Sequence, residues 1–272
     1  MSARLRHHLG WLPPGIALGL LAFAIFGPLL NLLLWAVAEQ WYFPHKLPLD
    51  YGFSFWQRVF RPRGNAMVSL GNSIAIALLT VAVCLAVAVP AGYALARRSL
   101  PLRGLILLAF LLPQAFPSLA VYINVARIFY GLGLNGTIMG VVLVHTMHGL
   151  VFAVWIATAA FAAVDRELEE AARNLGASPL QAFRAVTLPL AAPGIMASAI
   201  FVFLESLDEF TGTYFVGVPD VTTLPLLLFR ASMEGNYQIA SITALILLVP
   251  SVGFMLFIER FLKADVLAKV GS

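Results

Sequence analysis

Three acids stand where acids are costly. Glu205, Asp208 and Glu209 fall near the end of an apolar run that begins about Ala191. Their spacings of three and four residues set them on one face of a helix. At a rise of about 1.5 Å per residue, Glu205 lies roughly 21 Å and Asp208 roughly 26 Å from Ala191. Both then fall in the outer half of a hydrocarbon core about 30 Å thick. An unpaired charge at such a depth costs at least about 3 kcal/mol, so these side chains should face a bundle interior or water. Lining a translocation path, they would favour a cationic solute. Two plainer readings stand beside that one: the helix has already ended near Thr211 and Gly212, or the acids pair with an arginine of this chain or a partner. Asn72, inside another apolar run, joins them as a candidate path residue. His145 and His148 have the His-x-x-His spacing that can set two rings on one helical face, but no third ligand accompanies them. With Asn124 they read as hydrogen-bonded packing. Cys84 reads as a small buried hydrophobe.

A second chemistry is missing. A P-loop needs a lysine after glycine to reach the phosphates. The lysines are Lys46, Lys263 and Lys269, and none follows a glycine. This sequence carries no Walker-type ATP site of its own.

These residues sit in a chain of 272 that is 61% hydrophobic and 11% charged, with mean hydropathy +0.90. A soluble domain carries about 25% charged residues, so the chain reads as an integral membrane protein. The net charge of +4 fits basic loops on one side of a bilayer better than nucleic-acid binding. Residues 1–65 form a basic leader, a retained first span from Trp11 to Val37, and an external loop rich in interfacial aromatics such as Trp41 and Trp56. The core, 66–262, holds spans at about 66–96, 102–125, 137–164, 191–216 and 239–262. Pro113 and Pro117 interrupt the third of the six spans. A polar tail, 263–272, follows. Lysine and arginine number 11 in the loops of one side, including 165–190, against 6 in the loops of the other. The positive-inside rule therefore places both termini and residues 165–190 in the cytoplasm.

The polar stretch Asp165–Pro189 divides spans four and five. Asp165, Glu167, Glu169 and Glu170 suit the first turns of a helix, where its dipole favours acids. Leu168, Ala171, Ala172 and Leu175 give that helix an apolar face. Gly176 fits the left-handed position that ends a helix. Ser178, Pro179 and Gln181 form a capping box for a second helix carrying Leu180, Phe183 and Val186, its length limited by Pro189. The expected element is helix, sharp turn, helix.

Glu170-Ala171-Ala172, three residues, Gly176, nine residues, then Val186-x-Leu188-Pro189 resembles the EAA signature of binding-protein-dependent ABC importer permeases, E-A-A-x3-G-x9-I-x-L-P. Val186 replaces the isoleucine and keeps an apolar anchor. Leu132-Gly133-Leu134-Asn135-Gly136-Thr137 resembles the family's turn before span four, and Ala191-Ala192-Pro193-Gly194-Ile195 its start of span five. Ser206-Leu207-Asp208-Glu209-Phe210 and Thr223-Leu224-Pro225-Leu226 are most similar to the spermidine/putrescine branch, which also takes up iron and phosphonates.

The resemblance implies an all-α permease subunit of the bacterial inner membrane, not an enzyme. It would form half of a pore with a second permease, a sister chain rather than itself. Two ATPase subunits would bind ATP and Mg below, and a solute-binding protein would deliver cargo above. No cofactor would bind this chain. The EAA element would be the coupling helix: Glu170 making a charged or capping contact, Ala171 and Ala172 allowing close approach, Gly176 setting the bend, with Ser178, Leu188 and Pro189 completing it. The implied cargo is a small solute, a polyamine first, with phosphonate, ferric iron or an amino-acid-like solute as alternatives. Of the rival classes, an intramembrane glutamate protease would need E-E-x-x-x-R, and only two residues part Glu170 from Arg173. A secondary transporter would show two repeated halves.

Overall fold

A computed structural model describes residues 14–61 and 65–270. The basic stretch 1–10, Trp11, Pro62, Arg63 and the last two tail residues lie outside them. The chain runs α1 (Pro14–Val37), a small hairpin of β1 (Ala38–Gln40) and β2 (Asp50–Tyr51), then α2 (Ser54–Phe60) and α3 (Ala66–Arg97). α4 (Arg103–Ala115), α5 (Ser118–Gly131) and α6 (Ile138–Ala162) follow. Next come α7 (Arg166–Asn174), α8 (Pro179–Ala182), a π-helical turn (Phe183–Thr187) and α9 (Leu188–Asp208). α10 (Thr211–Val216), α11 (Leu224–Met233) and α12 (Tyr237–Val270) complete it.

Among the described residues five helical runs are long and apolar enough to cross a membrane, and six if the bent pair α4–α5 is one span. That pair turns by 94°. Pro113 leaves α4 helical, whereas Pro117 holds the preceding Phe116 extended, at φ −106° and ψ 149°, and so makes the break.

α6 is the most buried span and α3 and α9 close around it. Cys84, Ala88, Ala153, Ala157 and Val202 are fully buried in their common core. Small residues let the backbones approach, as membrane helix packing requires. A Cβ on Gly92 of α3 would lie 2.9 Å from the backbone of Ala157 and Thr158 on α6.

Three expectations change. Residues 38–61 are more than a loop: Glu39 accepts hydrogen bonds from the Ser54 hydroxyl and amide, the latter at 2.7 Å, and the Trp56 indole donates to the Ala36 carbonyl at 2.7 Å. The expected loop 217–238 contains α11, whose Leu224, Pro225 and Leu226 are buried. Pro189 does not stop the second helix of the polar stretch, because helix runs from Pro179 to Asp208. The wide π turn just before Pro189 makes room for its ring, which in a regular helix strikes the carbonyl four residues back.

Candidate functional site: the helical pair and the break in span five

The pair α7–α8 is built by its caps. The Asp165 side chain accepts the Glu167 amide at 3.0 Å and opens α7. Gly176 closes it at φ +95°, while the Ala177 amide donates back to the Ala172 carbonyl at 3.1 Å. The Ser178 hydroxyl then accepts the Gln181 amide at 3.3 Å, and the Gln181 side chain accepts the Ser178 amide at 2.8 Å. Helix, turn and helix stand as the sequence implies.

The apolar face of α7 points away from the bundle. No residue of α7 is buried, and Leu168, Leu175 and Leu180 are 48%, 90% and 56% exposed. Glu170 and Ala171 are exposed, Ala172 is half-covered, and Leu188 packs beside Phe161 and Ala191. A polar contact anchors the pair instead. Glu169 accepts the Tyr93 hydroxyl at 2.5 Å and the Thr187 hydroxyl at 3.0 Å, with the Arg97 Nε at 3.5 Å. Arg166 donates to the Ala96 carbonyl at 2.9 Å. Read from sequence, Glu169 is only one of four dipole-favoured acids. Its partners are 76 and 18 residues away, so no local pattern marks it.

Span five breaks before it reaches the far end of the bundle. α9 ends at Asp208, Glu209 is extended (φ −76°, ψ 110°), and α10 restarts at Thr211. His145 of α6 joins the two pieces: its Nδ1 lies 2.8 Å from the Ser206 hydroxyl and its Nε2 2.9 Å from the Thr213 hydroxyl. Glu209 accepts the Gly212 amide at 2.7 Å and the Tyr122 hydroxyl at 2.8 Å. The buried Tyr122 ring stacks on His148, centroids 5.2 Å apart. The Val216 carbonyl, at the end of α10, accepts the Gly136 amide at 2.7 Å, close to the start of α6. His145 lies seven residues into α6 from Ile138, so the break sits about 10 Å below that level.

The three acids therefore do not share one helix face. Glu209 has left the helix and holds the break, while Glu205, half-buried, and Asp208, exposed, remain on α9. The Asn72 amide donates to the Thr222 carbonyl at 2.9 Å and helps Ser73, which accepts the Leu224 amide, fasten the start of α11 to α3. Among the described residues no three His, Cys, Asp or Glu side chains are grouped to hold a metal ion.

Residues 88–264 match the family model of the binding-protein-dependent transport system inner membrane component. The chain belongs to that family, the permease subunits of ABC importers, whose ATPase is a separate subunit. It is 31% identical over 224 residues to the trehalose transport system permease protein SugB of Mycobacterium tuberculosis, covering 80% of this chain and 81% of that protein. It is 28% identical over 261 residues to the putative 2-aminoethylphosphonate transport system permease protein PhnV of Salmonella typhimurium, covering 93% and 97%. The permease fold is shared with a bacterial ABC transporter involved in the import of the acidic polysaccharide alginate. That match has a TM-score of 0.67 at 17% identity, over 96% of this chain and 99% of that one. A second, the inward-facing MetNI methionine transporter, gives 0.61 at 17% identity, over 75% and 97%.

The His145 staple generates a measurable expectation. His145→Leu leaves the Ser206 and Thr213 hydroxyls without their partner in the core and should destabilise the protein by about 2 kcal/mol or more. Thermal unfolding in detergent reads this, with exposed Asp208→Asn as the control that stays within about 0.5 kcal/mol. An unchanged midpoint for His145→Leu would show that the break is held some other way.

Proposed function

We propose that this permease forms half of a solute pore and is driven through the 165–189 element by a separate ATP-hydrolysing chain. One observation carries the reading. A rigidly capped helix pair presents Leu168, Leu175 and Leu180 to its surroundings, the arrangement of a helix made to lie in a groove of a partner. Glu170 and Arg173 line an open cavity of about 780 Å³ beside them, together with Arg97 and Arg98. The partners would be two ATPase subunits carrying ATP and Mg, a second permease and a solute-binding protein. The arginine and lysine asymmetry supports a cytoplasmic position for the element and both termini. Transport is then alternating access, with α6 and α9 tilting as the ATPases close. The π turn before Pro189, and Pro193 one turn on, make the base of α9 the natural hinge.

The proposed cargo is a small polar solute that passes Glu205 and Asp208. A cation such as a polyamine rests on those two carboxylates, since Glu209 is bound to Tyr122 and Gly212. The relatives compared above are named for trehalose and 2-aminoethylphosphonate, which makes a sugar or a phosphonate the competing cargo. Thermal stabilisation of the cognate binding protein across polyamines, sugars, phosphonates and metals identifies the solute.

Two variants test the reading in the assembled complex. Gly176 sits where a side chain meets open space but a left-handed backbone, so Gly176→Val costs conformational strain of about 1–2 kcal/mol. The strained turn should lower transport in the assembled complex; wild-type transport would refute the role of this bend in driving. Asp208→Asn should weaken transport of the identified solute while leaving assembly intact. Unchanged uptake removes Asp208 from the path.

A further inference from the structure

We infer that Glu169 is a positioning residue that makes span two, α3, move with the driven element. The inference rests on the coupling reading above and extends it to a helix which the chain does not join to α7. Spans four and five run directly into the pair, so they follow it covalently. α3 ends at Arg97 and is separated from α7 by three intervening helices.

The carboxylate of Glu169 bridges that gap. It takes a hydroxyl from Tyr93 of α3 at 2.5 Å and one from Thr187 of the π turn at 3.0 Å, and it faces Arg97 of α3 at 3.5 Å. One side chain of α7 thus fastens α3 and the base of α9. The two charged side chains are 15% and 9% exposed, so water competes weakly for the contact, and charge-assisted hydrogen bonds are the strong ones. Tyr93 is aimed rather than free, its ring edge-on to Phe161 and to Phe183 at 5.6 and 4.8 Å. Arg97 Nη2 is buried without a hydrogen-bond partner among the described residues, leaving Glu169 as the anion that compensates this guanidinium. α7 itself buries no apolar residue, so its own link to α3 is polar; the apolar contact between α3 and the element is made farther along, by Tyr93 against Phe183. The Arg166 bond to Ala96 at 2.9 Å is a second strut, made to a backbone carbonyl.

Distances between spin labels in the complete complex with its ATPases and second permease test this. Cys84 is buried and stays unlabelled. One pair, Val87→Cys on α3 with Val249→Cys on α12, reports span two against span six. Another, Ala197→Cys on α9 with Val249→Cys, reports span five. ATP with vanadate should change both distances in the otherwise unaltered complex. In Glu169→Gln the span-two change should fall to less than half while the span-five change persists, and Glu169→Asp should restore part of it. Tyr93→Phe keeps the ring and removes only the hydroxyl, so it carries the test if Glu169→Gln fails to assemble. Full span-two movement in Tyr93→Phe and in any assembled Glu169→Gln complex overturns the inference. If neither distance responds to ATP in the unaltered complex, the coupling reading itself fails and takes this inference with it.

Discussion

A helix that breaks inside a bilayer has no water to pair with its freed backbone, and span five of this permease breaks at Glu209. That constraint explains where the polar side chains of the bundle go. His145 grips Ser206 on one side of the break and Thr213 on the other. Glu209 receives the Gly212 amide that α10 would leave unpaired, and Tyr122 satisfies its second oxygen. Asn72 and Ser73 do the same service for the irregular segment before α11, and the Ser69 hydroxyl pairs with that of Thr222. Irregular backbone survives at membrane depth only where protein or a cavity satisfies it. The polarity of His145, Glu209, Asn72 and Ser73 is therefore structural, whereas Glu205 and Asp208 hold no part of the break.

At the other end of α9 the logic is inverted. An amphipathic helix ordinarily turns its leucines to the core and its acids to water. α7 instead anchors by an acid, Glu169, and keeps Leu168 and Leu175 outside. The π turn makes this workable, because it sets Thr187 within reach of the same carboxylate and lets Pro189 remain inside one continuous helix. With α7 held by a polar joint and α8 packed at Ala182, the pair can be tightly placed and still offer an apolar surface.

Much of this was legible in the residues because it is local. Asp165, Gly176, Ser178 and Gln181 act within a few positions of themselves, so their caps follow from spacing. Span two follows from hydropathy and the arginines that end it, its helix of Ala66–Arg97 lying within a residue of the 66–96 reading. What was not legible depends on distant partners. Glu169 looks like its neighbours until Tyr93 is placed beside it. Glu209 continues a helical spacing that would keep it with Glu205 and Asp208, and only its bonds to Tyr122 and Gly212 account for its departure. The π turn carries no composition of its own, and α11 is too short for a hydropathy window to separate from a loop.

The central claim is that the exposed face of the 165–189 pair is the grip for another chain that burns ATP. A photoreactive amino acid at Leu175, the most exposed of the three leucines, measures it directly. Irradiated in native membranes, it should yield one dominant protein adduct, whose peptides contain a P-loop. Adducts confined to lipid, or to proteins without a nucleotide site, would contradict the account.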